Sequence, residues 1–352
     1  MIRSTCWRVA FAVAAAWVLS ACAPAAPPAP PPTAAPIAAS TSGQLTTVKL
    51  GMPVVPTNTT VQQYFAGELG YYKQLGLDVQ ITEYQGSPTA LRALLSKEVD
   101  IIRIGGTNPY DAKAAGAPIK IISSPTAKGT DELVTNQSVS SFADMAGKRW
   151  AISAPEGYDY TIAKAIARQH GIDPASITFV AISDPAARVQ ALEAGQVDMT
   201  AQTNLTLKPV IDGLASGKFK ILTTFAEEFP DLPLAYDVTR DDVIADRPQV
   251  LVQFLEGEIM GLRWAQKNPE QAANLALKFM KSTDSDLMLQ GMKRMSSMNV
   301  MGLDGGISDA EIVKTQQELL DLGVVKSVYP ANEIAASQFA QQAVKELGPY
   351  QP

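Results

Sequence analysis

One run of elements occurs twice in the chain. Gly76-Leu77-Asp78 opens a segment that is predicted to run strand, then helix, then Leu94-Leu95-Ser96-Lys97-Glu98-Val99-Asp100, leading straight into another strand. Gly171-Ile172-Asp173 opens the same order, which closes on Leu192-Glu193-Ala194-Gly195-Gln196-Val197-Asp198. The offset of about 95 residues is far longer than a solenoid repeat, so two copies of one unit are expected to form two similar lobes rather than an array.

The pattern around the repeat sets the fold class. Short apolar strands are predicted at 48–52, 79–82, 101–104, 120–123, 149–153, 178–181, 199–202, 220–224 and 234–239. Amphipathic helices are predicted near 61–75, 88–96, 109–115, 161–170, 185–194 and 207–216. Such alternation reads as α/β, with two similar three-layer lobes built on mainly parallel sheets. After residue 246 the chain reads as helices at 248–267, 269–280, 285–298, 308–322 and 334–347, the first two parted by Asn268-Pro269.

Before the repeat lies a different kind of sequence. Arg3 and Arg8 precede an apolar run at 10–19, which is of signal-peptide length and too short to span a bilayer. It ends in Leu19-Ser20-Ala21-Cys22, which resembles the bacterial lipoprotein cleavage box. Residues 1–21 are therefore expected to be a signal peptide, and Cys22 the lipid attachment point that holds the protein at a membrane surface. The Pro/Ala-rich stretch 22–45 cannot bury apolar surface and reads as an extended tether. The first lobe is then expected over 46–135 and the second over 136–235, with 236–352 returning to the first lobe and adding the C-terminal helices. Loss of Cys6 with the signal would leave no pair for a disulfide. The net charge of −6 argues against nucleic acid as a partner.

Candidate ligand-binding residues lie where strands end. Ligands of open α/β sheets sit outside the carboxyl ends of strands, where helix N-termini converge. Three helices are predicted to begin with a capping residue followed by Pro, at Ser87-Pro88, Asn108-Pro109 and Asp184-Pro185. Asp184 brings its own charge to its helix start. Ser87 and the Gly106-Thr107-Asn108 turn are neutral and leave room for a ligand acceptor. Tyr84 and Gln85 end a strand in the first copy, and Gln202 and Asn204 do so in the second. The segment Ser153 to Thr161 is read as a strand-to-helix loop. In it Tyr158 and Tyr160 are suited to stacking on a planar ligand, and Asp159 to capping the helix or accepting from a ligand N–H. Arg103 interrupts the apolar strand Ile101-Ile102-Arg103-Ile104, so its buried guanidinium needs either an internal carboxylate or an anionic ligand group. Tyr236, in the strand 234–239, completes the candidates.

The chain resembles the periplasmic solute-binding proteins of the nitrate/sulfonate/taurine group, which includes binders of thiamine-pyrimidine precursors. The resemblance rests on Tyr71-Tyr72-Lys73-Gln74-Leu75-Gly76-Leu77-Asp78-Val79, the Leu94 to Asp100 run and Gly116-Ala117-Pro118-Ile119-Lys120. In the second half it rests on Met145-Ala146-Gly147-Lys148-Arg149, Asp184-Pro185-Ala186-Ala187-Arg188 through Asp198, Arg263-Trp264-Ala265 and Asn268-Pro269-Glu270. It implies two lobes of the type II periplasmic binding protein fold, joined by two crossover strands. The ligand cleft would lie between them and be lined by the loop with Pro56, Thr57 and Asn58. It also implies a location in the periplasm or at the outer face of the cell membrane, and an ABC permease and ATPase as partners. Arg103 stands where the family usually has a small or apolar residue, and Tyr158-Asp159-Tyr160 where small polar residues are common. These departures put a simple nitrate or sulfonate ligand in doubt, and an aromatic or nitrogen-bearing ligand, with or without one acidic group, fits at least as well.

Enzyme chemistry finds little support. His170 is the only histidine and sits where a helix should end, which excludes a Ser–His or Cys–His pair elsewhere in the chain. There is no Walker-type loop or dense metal-ligand cluster, so neither metal nor cofactor is expected. Relatives that make the thiamine pyrimidine use a cysteine-rich motif and an active-site histidine, both absent here. The reading is a monomeric, non-enzymatic importer subunit for a sulfonate, aromatic acid or pyrimidine-like solute. A solute-sensing receptor of the same fold is the alternative.

Overall fold

Two five-stranded sheets of the same plan organise the chain. In the computed structural model the described residues are 44–352, except 55, 58, 204–206 and 281–283, and they form one compact unit. The expected signal segment, Cys22, Asn58 and Asn204 lie outside the described residues. The strands are β1 Thr46–Met52, β2 Leu77–Glu83, β3 Ile101–Gly105, β4 Ile119–Thr126, β5 Asp131–Asn136, β6 Arg149–Ile152, β7 Thr178–Ala181, β8 Met199–Thr203, β9 Phe219–Thr224 and β10 Ala235–Arg240. The first sheet has the order β2-β1-β3-β10-β4 and the second β7-β6-β8-β5-β9. In each sheet three strands pair in parallel, and one strand runs antiparallel between its neighbours. That antiparallel strand, β10 in one sheet and β5 in the other, is the one the chain enters after crossing from the opposite lobe.

β5 was not foreseen. Its sequence, Asp-Glu-Leu-Val-Thr-Asn, opens with two acids that mask the apolar centre, yet Leu133 and Val134 are fully buried. The chain changes sheet within 127–130, so the 135/136 boundary read from the sequence cuts through a strand of the second lobe. The expected 61–75 helix is broken at Gly70, whose φ of 77° ends Gln62–Glu68 and starts Tyr71–Gln74. The helix expected over 334–347 divides into Ala331–Ile334 and Gln338–Leu347, because Ala335 bridges to Ile121 on β4.

The repeat is visible in its hydrogen bonds. Asp100 accepts from the backbone N–H of Lys49 at 3.0 Å, and Asp198 accepts from that of Arg149 at 2.9 Å. The N–H groups of Asp100 and Asp198 donate back to the carbonyls of those same residues, both at 2.9 Å. Each Val-Asp pair thus clamps the central parallel strand of its own sheet. Gly76 and Gly171 take the same left-handed turn, at φ 80° and 75°. Gly195 does so at 66°, whereas its counterpart Lys97 holds φ 65° with a side chain attached. Left-handed backbone costs a non-glycine residue roughly 1–2 kcal/mol, and the exposed Lys97–Asp242 ion pair is worth little. After the entropy that glycine adds to the unfolded chain, Lys97→Gly is expected to raise unfolding free energy by about 0.5–1 kcal/mol in denaturant titrations.

Candidate functional site

The site is a cavity of about 130 Å³ between the two sheets. The first lobe contributes Pro53, Val54, Thr57, Thr59 and Thr60 after β1, Ser87 at a helix start, and Arg103 to Gly105 at the end of β3. The crossings contribute Thr126, Asp131, Leu234 and Ala235. The second lobe contributes Ser153, Tyr158, Asp159, Ser183, Pro185 and Arg188. All the second-lobe groups follow β6 or β7, where parallel strands deliver helix starts to one edge.

The lobes touch beside this cavity. Asn108 Nδ2 donates to the Glu156 carbonyl at 3.0 Å. Gly105 packs so closely on Tyr158 that a Cβ added at Gly105 would fall 2.1 Å from the tyrosine Cβ. A larger crevice of about 490 Å³ opens on the helices Asn108–Ala114 and Tyr158–Gln169, with Asp111, Glu156, Lys164 and Arg168 on its walls.

The structure sorts the expected residues. Thr57, Arg103, Ser153, Tyr158 and Asp159 line the cavity. Asn108 and Thr161 face the crevice instead. Pro56 is not among the lining residues, and Gln85 is exposed. Tyr84 donates to Glu98 at 2.8 Å and covers Gly51. Gly106 fits against the Pro233 carbonyl, where any Cβ would clash at 2.0 Å. Thr107 is buried outside the cavity lining. Tyr160 packs edge-on against Phe179 under the Lys164 ammonium, so it serves the second lobe. Gln202 reaches Thr200 at 3.4 Å, and Tyr236 shares its hydroxyl with Tyr110 at 3.0 Å inside the first lobe.

Several local readings change. Tyr158, Asp159 and Tyr160 are the first turn of the helix Tyr158–Gln169, not a loop, because Gly157 in extended conformation serves as its N-cap. The Asp159 carboxylate is fully engaged, accepting from the Ser153 N–H at 2.5 Å, the Ser153 hydroxyl at 2.6 Å and the Tyr160 N–H at 3.0 Å. Ser87 and Asn108 do not cap: the caps are Gly86 and Thr107, and the Ser87 hydroxyl accepts from the Gly105 N–H at 3.2 Å. Asp184 does cap, accepting from Ala187 N–H at 2.7 Å. His170 stacks on Phe142 and lies 3.0 Å from Glu228, away from the cavity.

Arg103 is held internally. It is 1% exposed and binds both oxygens of Asp237, at 2.9 and 3.0 Å, and Glu258 at 2.5 Å. Burial and the neighbouring Asp237 push the Glu258 carboxyl well above its ordinary range, against the pull of Arg103. The internal carboxylate thus meets its charge, although one nitrogen, Nη1, has no partner.

Arg188 and Ser183 line the cavity and were not among the expected residues. The signal was available: Arg188 lies four residues after the Asp184 cap, one turn into the helix Pro185–Glu193, at the end of β7.

Glu132, on β5 at the crossing, meets Arg294 of the helix Ser285–Met298 at 2.6 Å. Burial outweighs the pull of Arg294 and raises the Glu132 carboxyl to about 8. Burial also lifts Glu318 to about 7 and Asp111 to about 6. Between the ordinary carboxylate range and these values the folded state binds protons that the unfolded state has released, so stability falls as pH rises through that window. Hydrogen bonds from Arg149 lower Asp198, whose contribution is lost instead as pH falls below the carboxylate range. Thermal unfolding should therefore be highest near pH 5 and drop by about 3–6 °C on going to pH 8.

A cavity at the crossing of two like-built α/β lobes is the architecture of the periplasmic binding proteins. Solved structures agree: the nitrate-binding protein NrtA from Synechocystis superposes with a TM-score of 0.70 at 14% identity, covering 87% of this chain and 90% of its own. The alkanesulfonate-binding protein SsuA from Xanthomonas axonopodis, bound to MOPS, gives 0.65 at 16%, covering 83% of this chain and 99% of its own. The fold also carries an enzyme, the desulfurization enzyme DSZB, at 0.57 and 14%. Residues 57–272 match the family described as NMT1/THI5 like, and the chain belongs to that family. Among curated relatives, the taurine-binding periplasmic protein of Escherichia coli is 25% identical over 287 residues, 77% of this chain and 86% of its own. The Bacillus subtilis binding protein YtlA is 22% identical over 293 residues, 80% and 86%.

Proposed function

We propose that this chain is the extracytoplasmic solute-binding subunit of an ABC importer, capturing a small organic molecule between its lobes and presenting it to a permease. The observation that carries this reading is the cavity itself, walled by both lobes and both crossings, because a ligand touching both walls stabilises the closed arrangement by its differential affinity. The family and the taurine-binding relative support it. We include in the reading a non-enzymatic, monomeric protein tethered by lipid at Cys22. The test is a thermal-shift screen of nitrate, taurine, alkanesulfonates, aromatic acids and pyrimidines, since any ligand specific for the folded state raises the transition by mass action. Stabilisation without turnover supports capture; chemical conversion of the stabilising compound contradicts it. Labelled palmitate incorporated by the wild type and lost in Cys22→Ala tests the anchor.

A further inference from the structure

Resting on that reading, we propose that Arg188 is the specificity-determining residue of the cavity, and that it selects a small organic acid, carboxylate or sulfonate, over uncharged or basic solutes.

Arg188 is 8% exposed and lines the cavity. Its Nη1 donates to the carbonyls of Ile182 and Ser183, both at 3.1 Å, which fixes the plane of the guanidinium. Its Nε is buried and has no partner. Among the described residues no carboxylate lies within ion-pair distance of it, in contrast to Arg103, which is neutralised by Asp237. An unpaired guanidinium held out of water costs free energy that an anion in the cavity would offset, and a planar fork with a free edge suits carboxylate or sulfonate oxygens.

The rest of the wall defines what else the acid carries. Asp131 and Asp159 line the same cavity, so a compact inorganic anion would lie close to carboxylates as well as to the arginine. An organic acid can place its charge on Arg188 and its body against Pro53, Val54 and Ile104 of the first lobe and Leu234 of the crossing. Charge on one lobe and apolar contact on the other makes such a ligand a bridge.

The test compares butanesulfonate, butyrate and benzoate with nitrate, butylamine, butanol and a neutral pyrimidine, by calorimetry and thermal shift, on the full chain and on Arg188→Gln and Arg188→Lys. At least one organic acid should bind the wild type, with affinity about 100-fold lower in Arg188→Gln and intermediate in Arg188→Lys. Whether carboxylate or sulfonate prevails identifies the headgroup. Arg188→Gln also removes the bonds to the Ile182 and Ser183 carbonyls, so selectivity is the readout that separates the roles: a purely structural arginine would lower the affinity for acidic and neutral members alike. Binding of a neutral or basic member that survives Arg188→Gln overturns the proposal but leaves solute capture intact. Failure of every acid to bind also overturns it, and failure of all members together with an unchanged scattering profile counts against the capture reading too.

Discussion

Gly105→Ala holds the two lobes apart. The added methyl would sit 2.1 Å from the Tyr158 Cβ and 2.8 Å from its ring, and a Cβ cannot swing away as a side-chain tip can. Gly105 ends β3 in the first lobe, Tyr158 begins a helix of the second, and the backbone at Gly105 is not left-handed, so the alanine itself is unstrained. The overlap is relieved by separating the lobes. Overpacking of this kind costs about 1–3 kcal/mol, which corresponds to roughly 5- to 150-fold weaker binding of any ligand that needs closure. Scattering should report a larger radius of gyration for the variant. In a Tyr158→Gly background the same alanine should cost little, and a double-mutant cycle over the four proteins measures that coupling. Additive effects would mean that this contact does not control closure.

Arg103→Met is expected to be the most damaging single change to stability. It leaves Asp237, wholly buried, and Glu258 without the cation that compensates them. Breaking a buried pair from one side typically costs about 3–5 kcal/mol, whereas replacing all members together is often neutral. Denaturant unfolding should show that loss for Arg103→Met and recover most of it in Arg103→Met/Asp237→Asn/Glu258→Gln. A triple variant no more stable than the single one would show that the cluster's hydrogen bonds, not its charge balance, hold the first lobe.

How far the sequence was readable depends on the kind of signal. Duplicated helix–turn–strand joins could be seen because their purpose is local: Gly76 and Gly171 need a left-handed turn, and Asp100 and Asp198 clamp the neighbouring strand. β5 was hidden because a strand entering by crossover is buried through partners distant in sequence, and its two leading acids find theirs there, as Glu132 does in Arg294. The candidate site followed the same division. Strand ends pointed to the region of the cavity, and Ser153, Tyr158 and Asp159 are among its lining residues. Which hydroxyl caps, which tyrosine turns inward and which arginine is already paired are decided by contacts spanning more than a hundred residues, such as Arg103 with Asp237 and Glu258. Arg188 stood out only as part of the Asp184-Pro185-Ala186-Ala187-Arg188 resemblance, and its place on the cavity wall is set by β7 and the crossing.

If two copies of one unit shut on a small molecule, binding must contract the protein. Small-angle scattering of the wild type and of Gly105→Ala, with and without a saturating compound that calorimetry shows to bind, tests it most directly. A smaller radius of gyration is expected for the wild type on saturation, with no such contraction in the variant. A wild-type profile that does not change while the compound is bound contradicts it.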